Sequence, residues 1–224
     1  MNNLLISIFY LLLSFLVTIF IYNRYGKYGL YCWICILVVI CNIQTVKLSE
    51  LFGLTISLGN ISYGALFLST DILSEKYGKI FANEATKISF FMMIMFTIFM
   101  YLFLKYEPCD ADFSQESFIT LFNYIPRITI GSLTAYYIGQ RCDAYLYSLL
   151  KNKYHKIWIS TNVSTMVSQT IDTLLFVTIA FAGSLSIKEL ISLIITMIGF
   201  KFIIALLDTP FMLIVSKIKN VKEK

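Results

Sequence analysis

Four polar residues recur along one apolar stretch in the last third of the chain: Asn162, Thr165, Gln169 and Asp172. Their 3-4-3 spacing stacks them on one face of a helix, because residues three and four apart lie above one another. The flanking Ile171, Leu174, Leu175 and Phe176 are apolar, so a single polar stripe on this helix should face the interior of a bundle. Two amides, a hydroxyl and a carboxylate make a mixed set of donors and acceptors. That set suits a planar heterocycle with an amino-pyrimidinone edge, Asp172 accepting from its N–H pair while Gln169 and Asn162 answer the carbonyl and ring nitrogens. The plainer reading is that such groups glue helices together. It is the better one for Thr165 alone; for the stripe with Asp172, a ligand site is favoured.

Five charges lie within or at the ends of apolar stretches: Asp71, Arg127, Asp172, Lys201 and Asp208. Inserting a charge into a bilayer costs about 2.5–3.5 kcal/mol on insertion scales, so each calls for a partner or a wet cavity. Arg127, Asp172 and Lys201 fall near the middle of their stretches, at a depth where they can converge between helices. Lys201 and Asp208 share a face, with Pro210 just beyond to bend the helix, and Lys201 is a candidate to neutralise Asp172. Arg127 shares a face with Asn123 and Thr134, with Gly131 allowing close approach. Asp71, Asp172 and Asp208 are alternative partners for it, and a structural ion pair is as good a reading as ligand contact. Asp71 and Glu75, one turn apart, make either a proton or cation site or an anchor for a helix end.

Catalytic patterns do not accompany these residues. The sequence has no Walker A lysine loop and no HExxH, and its single histidine, His155, stands alone in a basic loop. Cys32 and Cys35 form a CxxC inside an apolar run, which reads as small apolar packing and not as a metal site. The expectation is therefore a non-enzyme with no metal and no cofactor.

These residues must be held by membrane helices. Hydrophobic residues make up 58% of the 224 and charged residues 14%, with mean hydropathy +0.76; soluble domains carry about a quarter charged residues. A net charge of +5 is scattered among loops, which argues against a nucleic-acid partner. A span needs about 20 apolar residues. The pattern predicts seven spans, at Leu4–Tyr22, Tyr28–Ile43, Ile61–Leu73, Ile88–Leu104, Phe118–Gln140, Trp158–Ala182 and Leu190–Val215. The first lacks a basic leader and an A-x-A site, so it reads as a retained span. Between the second and third, Lys47–Asn60 is polar and Gly-punctuated, an extended or re-entrant segment.

Alternate loops separate the charges. One set holds Arg24, Lys27, Lys76, Lys79, Lys87, Arg141, Lys151, Lys153 and Lys156, joined by the lysine-rich C-terminal tail; the other holds only Lys47, Lys105 and Lys188. Basic loops mark the cytoplasmic side, giving N-terminus out and C-terminus in. The fold class expected is an all-α integral membrane protein, a single polytopic domain over residues 1–224.

The sequence resembles the queuosine precursor transporter family from about Asn42 to the C-terminus. The likeness is carried by Cys41-Asn42 with Lys47, by Gly64 to Lys79 with its D-x-x-x-E-x-Y-G (Asp71 to Gly78), and by Pro126-Arg127 through Gly139-Gln140 and Asp143. It continues in Trp158, Asn162 and the S-T-x-x-x-Q-x-x-D-T of Ser164 to Thr173. The resemblance implies import of 7-deazaguanine bases, such as 7-cyano-7-deazaguanine or queuine, across the bacterial cytoplasmic membrane. It implies that Asn42, Gln169 and Asp172 face the ligand, with Arg127 and Lys201 supporting. The site expected is thus Asn42, Asn162, Thr165, Gln169, Asp172 and Lys201, with Asp71, Glu75, Arg127 and Asp208 as supporting or gating groups. Its partners are a nucleobase-like small molecule and the lipid bilayer, with a homodimer left open. Two rivals stand beside this reading: the substrate-capture subunit of an energy-coupling-factor transporter, and a non-transporting assembly protein.

Overall fold

Glycine decides how the longest helix is used. In the computed structural model, which describes residues 3–51, 53–154 and 157–218 without the side chains of 144, 151, 154, 157–162, 205 and 216, helix α1 (Asn3–Thr45) is broken at Gly26. Its φ of 61° is one that glycine adopts without a Cβ penalty. The two arms fold back on each other: Trp33 Nε1 donates to Thr18 Oγ1 at 2.9 Å, and Gln44 Nε2 to the Tyr10 hydroxyl at 3.1 Å. The first two apolar stretches are the arms of this hairpin.

The polar segment that follows satisfies its own backbone, as non-helical chain in a membrane protein must. Strands β1 (Leu48–Leu51) and β2 (Leu54–Ser57) pair antiparallel, Leu48 opposite Ser57 and Leu51 opposite Leu54. Gly53, at φ 75°, sits in the turn. The extended segment expected over Lys47–Asn60 is therefore a β-hairpin, one departure from an all-α chain. It docks on α7 (Ile187–Leu207), where the Thr55 N–H donates to Ser192 Oγ at 2.7 Å and Thr196 Oγ1 donates to the Thr55 carbonyl at 2.9 Å.

Helix α2 (Gly59–Tyr77) starts where the hairpin ends. A Cβ at Gly59 would collide with Thr45 Oγ1 and the Cys41 carbonyl, so glycine lets α2 lie against the second arm of α1. Phe15, Tyr22, Ile34, Leu68 and Ile72 form the core between these elements, joined by Ile204 and Val215. Gly78, at φ 100°, separates α2 from α3 (Lys79–Phe103). Then come α4 (Gln115–Phe122), α5 (Ile125–Tyr154), α6 (Ile157–Phe181), α7 and α8 (Thr209–Lys217).

Two expected spans are interrupted. Phe118–Gln140 divides between α4 and α5, because Pro126 has no N–H to continue a helix and fits the first turn of a new one. Asn123 consequently lies outside α5 and shares no helix face with Arg127. Leu190–Val215 divides at Asp208, with Pro210 opening α8. Helices α5 and α6 share a second core of Ile128, Ala135, Phe176 and Val177.

Among the described residues, four helical stretches are long and apolar enough to cross a bilayer: Asn3–Thr45, Lys79–Phe103, Val163–Phe181 and Ile187–Val215. They do not by themselves make seven spans, since α2 and α5 are more polar. The apolar window of α3 is only 11% buried, and Phe91 and Phe99 are each 60% exposed. A surface this apolar needs lipid against it.

Three of the basic clusters lie at one end. Lys27 Nζ sits 4.5 Å from the centre of the Phe81 ring, and Lys76 Nζ donates to the Ile218 carbonyl at 2.8 Å. The Gly26 turn, the α2–α3 corner and the end of α8 are thereby neighbours. Asn3 is at the other end with the β-hairpin, its Nδ2 3.2 Å from Ser49 Oγ.

Candidate functional site

A cavity of about 380 Å³ lies between α2, α3, α5, α6 and α7, within the ~300–1,000 Å³ range of small-molecule sites. Helix α2 lines it with Asn60, Tyr63, Phe67, Asp71 and Ser74, a 3-4-4-3 run down one face. Helix α6 contributes Gln169, Asp172 and Phe176, and α7 contributes Phe200 and Lys201. A second cavity of about 290 Å³ adjoins the first. Both are lined by Phe67, Asp71, Gln169, Lys201 and Ile204, and the second adds Thr165 and Asp208.

The chemical centre is an ion pair. Lys201 Nζ donates to Asp172 Oδ2 at 2.7 Å and to Thr173 Oγ1 at 3.0 Å. The Lys201 and Asp172 side chains are 21% and 26% exposed, and both line the cavity. Each charge thus compensates the other where neither has full hydration. Helix α5 packs against α6 at this level; a Cβ at Gly139 would stand 3.4 Å from Asp172 Cβ and 3.7 Å from Oδ1, in ordinary van der Waals contact. Gly131 and Ala135 continue the same seam against Phe176 and its core, the small-residue packing that lets membrane helices approach.

Aromatic rings form the walls. Phe90 and Tyr136 meet edge to face with centroids 4.7 Å apart, and Tyr63 and Phe67 lie 6.2 Å apart at 35°. Tyr63 and Ser132 both line the cavity. Rings of this kind offer faces for stacking a flat ligand at ring-centroid distances of about 4.5–7 Å.

The site expected from the sequence is brought together in part. Gln169, Asp172, Lys201 and Asp71 line the main cavity, while Thr165 and Asp208 line the second. Glu75 lines neither; Ser74 holds the corresponding place. Asn42 is buried outside the lining, its Nδ2 donating to the Val38 carbonyl at 2.7 Å and its Oδ1 accepting from Ser132 at 3.2 Å. It stands behind Ser132, which lines the cavity. The Asn162 side chain lies outside the described residues.

Arg127 is elsewhere. Because the helix breaks before Ile125, Arg127 falls in the first turn of α5 and not at mid-depth, and it reaches none of the three candidate carboxylates. Its guanidinium donates from Nε to the Ile179 carbonyl at 2.5 Å, from Nη2 to the Ala182 carbonyl, and from Nη1 to Ser184 Oγ at 3.4 Å. These are carbonyls that the end of α6 leaves without helical partners. Arg127 is a C-terminal cap.

The sequence reading did not place Asn60, Tyr63 or Phe90 in the site, and it met Tyr136 only within the family likeness. The regular spacing of Asn60, Tyr63, Phe67 and Asp71 is a usable signal for the α2 face; Phe90 has none, being embedded among other apolar residues. Among the described residues, no three His, Cys, Asp or Glu side chains gather as a metal site would require.

Apolar helices wrapped around a polar, aromatic-walled cavity define a multi-pass membrane protein with an internal cavity of small-molecule size. The family described as "Putative vitamin uptake transporter" matches residues 57–215, and the chain belongs to that family. It is 36% identical over 207 residues to the "Probable queuosine precursor transporter" of Bacillus subtilis (strain 168), covering 91% of this chain and 90% of the relative. It is 28% identical over 162 residues to the "Queuosine precursor transporter" of Escherichia coli (strain K12), covering 71% of each. A Haemophilus influenzae relative (strain ATCC 51907 / DSM 11121 / KW20 / Rd), named "Probable queuosine precursor transporter", is 28% identical over 146 residues, 62% of this chain and 60% of its own length. No solved structure matches the chain.

Proposed function

We propose that this protein imports queuosine precursors, 7-deazaguanine bases such as 7-cyano-7-deazaguanine or queuine, across the bacterial cytoplasmic membrane. The observation that carries the reading is the Asp172–Lys201 pair beside Gln169 in an aromatic-walled cavity. A deazaguanine presents two adjacent N–H donors on its amino-pyrimidinone edge. Lys201 holds one oxygen of Asp172, leaving lone pairs on the carboxylate to accept from that edge. Gln169, with both a carbonyl and an NH₂, answers the neighbouring carbonyl or ring nitrogen. The rings of Tyr63, Phe67, Phe90 and Tyr136 cover the faces of the base. The names borne by the relatives support the same substrate class.

The chain would cross the membrane seven times, with the N-terminus out and the basic end in the cytoplasm. Substrate enters the main cavity, and the second cavity, continuous with it at Lys201 and Gln169, belongs to the path of release. Alternating exposure of the two is the transport step. Titration calorimetry of the purified chain with 7-cyano-7-deazaguanine should show saturable 1:1 binding that adenine, which lacks the amino-pyrimidinone edge, does not compete. Absence of binding, or equal competition by adenine, would sink the assignment.

A further inference from the structure

Asn60 is 7% exposed and lines the main cavity, yet its amide nitrogen has no hydrogen-bond partner among the described residues. Buried amides in a settled fold are paired, and one left open marks a group whose partner comes from elsewhere. Other polar side chains near the start of α2 are paired. Two residues on, on the opposite face of α2, Ser62, Gln44 and Tyr10 close a ring of bonds: Ser62 Oγ to Gln44 Oε1 at 2.5 Å, Gln44 Nε2 to the Tyr10 hydroxyl at 3.1 Å, and that hydroxyl to Ser62 Oγ at 2.7 Å. Nor can the backbone swing Asn60 out, because Gly59 is wedged against Cys41 and Thr45.

The position of Asn60 along α2 says which part of a ligand it meets. Tyr63, the next residue on the lining face, shares the cavity wall with Asp172. Asn60 is three residues, ~4.5 Å along the helix axis, further toward the β-hairpin end. A deazaguanine held at Asp172 by its N–H pair turns its five-membered ring away from that carboxylate, since the two edges lie on opposite sides of the fused system. In a 7-cyano derivative the nitrile projects from that far edge and offers an acceptor without a proton.

We infer that Asn60 is a specificity-determining residue, whose side-chain NH₂ donates to the nitrile at the far edge of a 7-cyano-7-deazaguanine held at Asp172. The inference rests on the proposed function and adds the residue that tells a nitrile-bearing base from its bare parent. The nitrile leaves the amino-pyrimidinone edge unchanged, so the two ligands differ at Asn60 and not at Asp172.

The test is calorimetry of the full chain in detergent with 7-cyano-7-deazaguanine and with 7-deazaguanine, for the wild type, Asn60→Leu, Asn60→Ser and Asp172→Asn. The wild type is expected to prefer the nitrile ligand by about tenfold, the size of one buried hydrogen bond. Both Asn60 variants should lose that preference and bind 7-deazaguanine within about twofold of the wild type, with unchanged melting temperature without ligand, since Asn60 makes no bond there through its nitrogen. Asn60→Ser serves if leucine distorts the cavity. Asp172→Asn should lose both ligands. A wild type without preference, or an unchanged preference in both Asn60 variants, overturns the role of Asn60 and leaves the proposed function standing. A wild type that binds neither ligand overturns the proposed function and Asn60 with it.

Discussion

Lys201→Met is expected to destabilise the protein by about 2–3 kcal/mol and to abolish precursor uptake, while the double variant Lys201→Met/Asp172→Asn regains the stability and not the uptake. Removing one member of a buried pair leaves an uncompensated charge, a loss of about 3–5 kcal/mol in closed sites. The value is set lower here because the pair faces a cavity and retains roughly a quarter of its exposure. Neutralising both members removes the stranded charge, so the fold recovers. Uptake does not, because an amide at position 172 no longer presents acceptors alone to the N–H pair of the base. Thermal melts of the wild type and the two variants beside uptake assays give the comparison. A double variant that transports would show that the pair is only structural.

Arg127→Met should also cost about 3 kcal/mol, for a different reason, and should leave ligand affinity in the folded fraction unchanged. The guanidinium satisfies two carbonyls at the end of α6 and reaches Ser184. Charged hydrogen bonds contribute about 1.5–3 kcal/mol each, and methionine leaves those acceptors without donors. Arg127→Lys should recover only part of the loss, because a single ammonium cannot reproduce the planar fork. Melting and calorimetry on the same samples separate stability from binding. An Arg127→Met protein with normal stability and no ligand affinity would return Arg127 to the site.

The contrast between these residues shows what the sequence disclosed. Asp172, Gln169 and Lys201 were legible because helical spacing alone places Gln169 and Asp172 on one face, and a cation at matching depth is the natural partner for a carboxylate in a membrane. Arg127 was misplaced because its depth depended on where a helix begins, and Pro126 moved that boundary by several residues. Asn42 was carried in by family likeness, which marks a residue without saying whether it touches ligand or holds Ser132. The first two apolar stretches were correctly separated, since Gly26 and its flanking charges interrupt them. The β-hairpin was visible only as a polar, glycine-containing interval, because four-residue strands leave too little periodicity to read. Aromatic walls are least legible of all: a phenylalanine that lines a cavity and one that faces lipid look alike in sequence.

If this chain alone carries a deazaguanine base across a membrane, labelled 7-cyano-7-deazaguanine should enter proteoliposomes containing only this protein. Time-dependent accumulation in the lumen is expected, which unlabelled precursor competes and Asp172→Asn eliminates. Binding without uptake would contradict self-sufficient transport and assign the chain to substrate capture for a separate motor; uptake retained by Asp172→Asn would contradict the site.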